Sequence, residues 1–212
     1  MTLIMTRRAI VWLLGAGVLV LPLCDHALAD ASAGSVVGLR GQCTVERQGH
    51  PIPLKLGDAI AVSDAIDVPA DGKLKLRMED GSVIALASGT RMTVAAYQTD
   101  AAGHRQNAQL SLGEGLLRAV VAPVDHPSTF EVSTAVGTAA VRSTDWFIEA
   151  KPGSAQVGVL TGSVGLTSAG TGRLVVIPSH WGARLEAGRD PVQARVWSPQ
   201  EFQAVISRTD VP

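Results

Sequence analysis

The sequence predicts an all-β protein, an irregular β-solenoid or sandwich of short stacked hairpins with one short C-terminal helix. Three observations lead there. From Ala33 onward polar and apolar residues alternate with period two nearly everywhere, which sends successive side chains to opposite faces of a strand. Glycine-containing turns recur between the alternating runs. Aromatics make up only 4% of a chain with 22 glycines, so the core must be built from Val, Leu, Ile and Ala. Such side chains suit closely stacked strands. Sandwich, barrel and solenoid all remain compatible with many short strands.

The first element stands apart from the fold. Arg7 and Arg8 precede an apolar run of 15 residues, Ala9 to Leu23, and a polar stretch ending in Ala27-Leu28-Ala29. This is the layout of a cleavable signal peptide, residues 1–29, with cleavage after Ala29 and Ala31 or Ala33 as alternatives. A retained membrane helix needs about 20 apolar residues, and this run is shorter and broken by Pro22. Leu23 ahead of Cys24 disfavours a lipoprotein, whose modified cysteine follows a small residue. Thr6-Arg7-Arg8 only faintly resembles a twin-arginine signal, and the strongly apolar core favours the ordinary secretory route. Export implies a periplasmic protein with no membrane attachment after cleavage.

Loss of residues 1–29 removes two of 18 basic and one of 19 acidic residues, leaving a net charge of −2. That balance gives no electrostatic reason to expect nucleic acid or an anionic membrane as partner. Cys43 alone survives cleavage and cannot form an internal disulfide. It reads as a buried or half-buried strand residue, with an intermolecular bridge as the alternative.

The strands follow in order. Ser35–Leu39 and Thr44–Arg47 come first. Lys73–Met78 alternates strictly, turns at Glu79-Asp80-Gly81, where Asp-Gly tolerates positive φ, and returns along Ser82–Leu86. Gln109–Leu112 is expected to turn at Gly113-Glu114-Gly115 into Leu116–Val121. Thr129–Ser133, Thr138–Val141 and Trp146–Glu149 follow. Gln156–Leu160 is expected to turn at Thr161-Gly162-Ser163 into Val164–Leu166, with further strands at Leu174–Ile177 and Ala183–Glu186. Asp100–Asn107 reads as a polar loop joining two halves. At the end, Ser198-Pro199-Gln200-Glu201 supplies an N-cap, a proline at the first helical position and an acid in the first turn. Phe202, Val205 and Ile206 then fall at helical spacing, so a helix is expected on the sheet edge. No linker divides the chain further: a β domain spans 30–196 and a helical appendage 197–212.

Motifs that carry chemistry are missing. His50, His104, His126 and His180 lie far apart in sequence, and one cysteine cannot complete a structural zinc site. Thr161-Gly162-Ser163-Val164-Gly165 lacks the glycine that a nucleophile elbow needs two residues before its serine. Asp58, Asp64, Asp67, Asp71 and Asp80 lack the spacing of a calcium loop and suit turns instead. No phosphate-cradling glycine loop is present in the exported part. No catalytic, metal or cofactor-binding residue is assigned, and no cofactor is expected.

Several segments resemble the FecR domain family. Leu56-Gly57-Asp58-Ala59-Ile60, Ser63-Asp64-Ala65-Ile66, Gly72-Lys73-Leu74-Lys75-Leu76 and Glu79-Asp80-Gly81-Ser82 resemble its opening landmarks. Gly113-Glu114-Gly115, Phe130-Glu131-Val132-Ser133-Thr134, Val141 to Ile148 and Val159 to Val164 are similar to its later ones. The resemblance spans roughly Val37 to Leu166, so the β domain at 30–196 reads as FecR-like. It singles out Gly57, Asp58, Asp64, Asp80, Gly81, Arg142, Thr144, Phe147 and Gly162 as family-motif residues. At turns, Asp can bond its own backbone two residues on. An inward Arg142, on a strand with Thr144 beside Asp145, would tie hairpins together through carboxylates or recognise a partner. Ser143 departs from the family's usual glycine, which predicts a different backbone or neighbour approach there. Familiar members also carry a cytoplasmic anti-sigma segment and a lasting membrane helix. The eight residues ahead of the apolar run are too few to hold a sigma factor, so only the periplasmic module is expected.

The expected role is therefore binding without catalysis: protein–protein interaction in envelope signalling or scaffolding, with a transporter or sensor component as partner. Trp146, Trp181 and Trp197 are candidate contacts, since tryptophan is enriched at interface hot spots, with core packing the competing reading for Trp146. A glycan- or peptidoglycan-binding accessory domain is the alternative and would need Trp181 and Trp197 exposed and coplanar. A hydrolase would need a carboxylate or Ser–His cluster in a cleft. Partner identity and oligomeric state are not written in the sequence.

Overall fold

The computed structural model describes residues 32–211; the expected signal peptide with its Ala29 site and Cys24 lies outside the described residues. In chain order the strands are β1 (Ser32–Arg40), β2 (Thr44–Arg47), β3 (His50–Pro53), β4 (Ala59–Ala61), β5 (Ala65–Asp67), β6 (Lys73–Met78), β7 (Val83–Leu86), β8 (Arg91–Thr99) and β9 (Arg105–Val120). They continue as β10 (Thr129–Ser133), β11 (Gly137–Val141), β12 (Asp145–Lys151), β13 (Ser154–Thr161), β14 (Ser163–Ser168), β15 (Leu174–Pro178), β16 (Trp181–Glu186) and β17 (Arg195–Val196). Helix α1 (Pro199–Thr209) closes the chain. The all-β class with a single C-terminal helix is what the alternation predicts.

Two layers share one strand. Sheet A runs β4-β1-β6-β7-β9-β12-β13-β16-β17. Sheet B runs β3-β2-β5-β8-β9-β10-β11-β14-β15. Among the described residues neither closes into a barrel, and only β9 and β10 pair in parallel. Alternation on β6 puts Leu74, Leu76 and Met78 at 2% exposure or less. Leu76 and Ile148 from sheet A share one core with Val94 and Leu166 from sheet B. Each such aliphatic side chain, fully buried, contributes about 1.5–3 kcal/mol.

Two expected hairpins prove to be corners. Gly113-Glu114-Gly115 does not reverse the chain; β9 continues through it, pairing with β8 and β10 before the bend and with β7 and β12 after it. Gly115 sits at φ +100°, and a Cβ there would stand 2.4 Å from Thr90 Oγ1. The same oxygen accepts from the Leu116 N–H at 3.1 Å. Glycine is needed because the chain must fold tightly over Thr90 to change sheets. Likewise Gly162, at φ +87°, separates β13 in sheet A from β14 in sheet B, which pair with other strands rather than with each other. A turn residue encodes the bend, but local sequence does not say which neighbour the emerging strand joins.

Two other expectations also change. Asp100–Asn107 is the tip of the β8–β9 hairpin, and Arg105 onward is already strand. The helix packs on a face of sheet A, not its edge. Phe202, Val205 and Trp197 cover Ala87, Leu116 and Phe147, which point away from the main core. Ser198 caps the helix as anticipated: Glu201 N–H donates to Ser198 Oγ at 3.3 Å, and Ser198 N–H donates to Glu201 Oε2 at 2.8 Å.

Candidate functional site

The family-motif carboxylates are committed to turns. Next to Gly57, at φ +86°, Asp58 Oδ2 accepts from the Lys55 N–H at 2.8 Å. Asp64, 1% exposed, accepts from the Ala61 N–H at 2.8 Å and takes a two-pronged grip from Arg47 at 2.7 and 2.6 Å. Both reach three residues back, not two on. Asp80 follows the expected pattern: Ser82 donates to it from its N–H at 3.0 Å and from its hydroxyl at 2.7 Å, while Gly81 takes φ +82°.

The inward arginine is not the anticipated one. Arg142 is exposed at a bend after β11, and Thr144, although buried, also lies outside a strand. Thr144 donates to the Arg142 carbonyl at 2.6 Å, and a Cβ on Gly162 would stand 2.9 Å from its hydroxyl. Asp145 is gripped by Arg118 at 3.0 and 2.9 Å, leaving no pairing with Arg142. Ser143 takes φ +43°, the region glycine favours, so the departure from the family pattern is in side chain and not in backbone. Arg105 supplies the buried cation. Its guanidinium meets Asp80, approaches the Ala122 carbonyl at 3.3 Å and lies 5.4 Å from the Phe130 ring centre. Hydrophobic patterning could not reveal this, because Arg105 falls in a polar run.

The tryptophans separate. Trp146 is fully buried in the core, so it cannot be a contact anchor. Trp197 is 7% exposed, stacked against Phe147 and Phe202 at 5.3 and 5.5 Å between ring centres. Of the three described tryptophans, Trp181 is the exposed one, at 36%. The paired aromatic platform that a glycan reading required does not form. Phe147, a motif residue, serves as the helix's seat.

Histidines distant in sequence come together. The His104 and His126 rings lie 5.8 Å apart. His126 Nε2 is 2.9 Å from the Arg105 carbonyl and Nδ1 is 3.2 Å from Asp125 Oδ1. The Asp125 bond first, then the Arg105 carbonyl, raises the His126 pKa. Among the described residues no group of His, Cys, Asp and Glu has the arrangement to hold a metal. Cys43 is buried just before β2, and burial pushes its thiol up to about 11. Burial disfavours the thiolate that a bridge would need.

What remains open is strand edge. Sheet A ends at β4, three residues, and β17, two residues. Sheet B ends at β3, which carries Pro51 and Pro53, and at β15, Leu-Val-Val-Ile-Pro. Proline removes the N–H that an added strand would use, and very short edges offer little to pair with. β15 is the exception. Leu174 and Val176 are 58% and 62% exposed, while Ile177 on the same strand is fully buried. Ser168 N–H donates to the Arg173 carbonyl at 2.9 Å. By the alternation of an antiparallel ladder, Val175 and Ile177 then bond inward to β14, and Leu174 and Val176 point N–H and C=O outward. Beside Val176, Thr129, Ala140, Arg142 and Gly165 line a shallow groove of about 320 Å³. The sequence carried a cue in Pro178 closing an apolar run, a common mark of an edge strand.

Comparison with known proteins fits this architecture. Residues 64–165 match the family described as FecR protein. The chain contains a FecR domain. The match begins well after Val37 and ends at β14, so β15 borders the FecR domain and Asp64, Asp80, Gly81, Arg142, Thr144, Trp146, Phe147 and Gly162 lie inside it. Gly57, Asp58, Trp181 and Trp197 lie outside. A crystal structure at 1.65 Å of a candidate anti-sigma factor from Parabacteroides distasonis ATCC 8503 is similar, with TM-score 0.55 and 17% identity over 66% of this chain. A second structure, at 2.50 Å, of a candidate anti-sigma factor from the same organism gives the same TM-score and identity. The alignments span 63% and 62% of those chains, less than two thirds of their length. At that identity the likeness establishes the fold. No curated protein matches the sequence.

Proposed function

We propose that this protein is a periplasmic, non-enzymatic binding module of envelope signalling, which takes an extended segment of an envelope protein at the edge of sheet B. The observation that carries the reading is β15: a five-residue apolar edge at the border of the FecR domain, with exposed Leu174 and Val176. Adding a strand there satisfies outward backbone groups and covers apolar surface at once. The FecR domain and the fold shared with a candidate anti-sigma factor support the signalling part. The exposed positions on β15 favour a protein segment over a sugar chain, because Trp197 is buried and no paired aromatic platform faces outward among the described residues. The basic residues, apolar run and Ala27-Leu28-Ala29 of the first 29 residues support export to the periplasm, where a transporter or sensor component is within reach.

A photocrosslinking residue at Val176, introduced into the full chain in living cells, tests the reading. An adduct with an envelope protein is expected at Val176 and not at His50 on the proline-bearing β3. Equal labelling at both positions, or recovery of the protein from the cytosol after osmotic shock, overturns it.

A further inference from the structure

We infer that the outer face of sheet A around Phe147 is a docking surface for an amphipathic helix, which α1 occupies within the chain and a helix of another protein takes when α1 leaves. This face lies on the opposite sheet from β15 and does not depend on that edge.

The seat belongs to the FecR domain and its occupant does not. Lys73, Ala87, Leu116, Phe147 and Glu149 fall within the matched residues 64–165, whereas Trp197 and all of α1 come after them. Ala87, Leu116 and Phe147 form an apolar cluster with Trp197, Phe202 and Val205, apart from the main core. The floor is shaped for rings. Gly158 and Gly182 oppose each other on β13 and β16. A Cβ would stand 2.4 Å from the Phe147 ring on the first and 2.3 Å from Trp197 on the second. Two bare backbone positions side by side let aromatic rings lie against the sheet.

Charge fixes the direction of the helix. Lys73 Nζ donates to the Ser207 and Asp210 carbonyls, each at 2.9 Å, so a cation stands where a helix carries its negative pole. Glu149, whose neighbour Lys151 is 3.9 Å away, takes Arg208 at 2.8 Å. The face therefore reads an apolar residue, a second three positions on and a base six positions on, as Phe202, Val205 and Arg208 supply.

The hold on α1 is light enough to release. Arg208 is 48% exposed, and a surface pair of that kind contributes little. Beside the helix, Leu160, His180, Pro199 and Ile206 border an apolar cleft of about 400 Å³, a gap that a fully packed core does not leave. A helix of 11 residues is marginal without its packing, so leaving the seat and unwinding are one event. A second copy is the poorer occupant, since each copy's own α1 is tethered beside its own seat at a high effective concentration.

Hydrogen exchange on the full, purified protein reads the release. The hydrogen-bonded amides of α1 should exchange together, roughly a hundredfold faster than those of β9 and β12. Phe202→Asp removes the anchor and should free α1 while the strands stay protected, with Val205→Asp as the second variant. The probe for the seat is a fluorescent synthetic peptide of residues 195–212. It should bind the Phe202→Asp chain at least about tenfold more tightly than the wild type, where α1 competes in cis. Adding Glu149→Lys to the opened chain should reverse its preference from the natural peptide to one carrying Arg208→Glu, an outcome general destabilisation cannot produce. Exchange of α1 only with global unfolding, or loss of strand protection in both anchor variants, would make the helix an integral part of the domain and overturn the inference. So would failure of the peptide to bind the opened chain, indifference to the Glu149 reversal, or sedimentation of the wild type as a dimer that Phe202→Asp dissociates.

Discussion

The Arg105 guanidinium and the Asp80 carboxylate form an ion pair with each side chain 1% exposed. It joins the β6–β7 turn to the start of β9, and through the Ala122 carbonyl it also holds the crossover between β9 and β10. Ser82 completes the cluster: its hydroxyl accepts from the Ala122 N–H at 2.9 Å while donating to Asp80. The Asp-Gly-Ser motif thus does more than reverse the chain. It anchors the only parallel connection among the described strands.

Removing one partner leaves the other charged and buried, which costs about 3–5 kcal/mol. Arg105→Leu and Asp80→Asn should each destabilise by that order in urea unfolding at neutral pH. The double variant should lose less than the sum of the two, since the second change removes a charge already stranded by the first. Additive losses would show that the two side chains do not act on each other.

Much of this fold was legible in the chain because strand alternation is a local signal. Lys73–Met78 and Thr129–Ser133 read directly as strands, and Ser198-Pro199 as a helix start. Partners were not legible, because pairing is a long-range property. Gly115 and Gly162 marked bends correctly, yet each sends its strand into the opposite sheet. The site was less readable still. Arg142 sits in a conspicuous motif and faces solvent, whereas Arg105 sits in a polar run and enters the core. Exposure of Leu174 and Val176 depends on β15 being last in its sheet, which follows only from the complete strand order.

Gly115 offers a sharp test of the corner. A side chain there is opposed twice, by φ +100° and by Thr90 Cα 2.5 Å from the would-be Cβ. Left-handed backbone costs a residue with a Cβ roughly 1–2 kcal/mol, and overpacking adds about 1–3 kcal/mol. Gly115→Ala should therefore lower stability by about 2–5 kcal/mol in urea unfolding. Gly81→Ala has the same handedness at φ +82° but no atom within 4 Å of the added Cβ, so it should lose only the backbone part. Equal losses would refute the close approach as the reason for glycine at 115.

Two groups should give opposite pH responses. The Arg195 pairing, then the Ser198 N–H, lowers the Glu201 carboxyl to about 2. A depressed carboxyl contributes stability above its unfolded pKa and loses it as pH falls through the folded value. Protection of the first α1 amides should accordingly fall between about pH 4.5, the ordinary value, and about 2, and Glu201→Gln should abolish that step. His126 is raised instead, so its contribution is complete below about 6.5, the ordinary value, and fades as pH rises through the higher folded pKa. The segment from Ala122 to Ser128 should exchange its amides faster on the alkaline side. His126→Gln should remove that dependence, although Asp100, Asp125 and His104 remain nearby. A segment equally protected on both sides of the His126 titration would refute protonated His126 as the group that holds it.

Ser143 holds a conformation that most side chains avoid, φ +43°, at the bend where the family pattern has glycine. The bend is fixed from both sides. Thr144 donates to the Arg142 carbonyl at 2.6 Å, and a Cβ on Gly162 would lie 3.1 Å from the Ser143 carbonyl oxygen. The backbone therefore cannot relax to suit serine. Ser143→Gly relieves roughly 1–2 kcal/mol of left-handed cost and gives back about 0.5–1 kcal/mol in unfolded-chain entropy, for a net gain of up to about 1.5 kcal/mol. In a domain of this size that raises Tm by up to about 6 °C. Ser143→Val should move the other way, since a β-branched residue is the least tolerant of positive φ. If glycine lowers Tm, the serine hydroxyl makes a contribution larger than its strain, and the bend is not the glycine position its φ indicates.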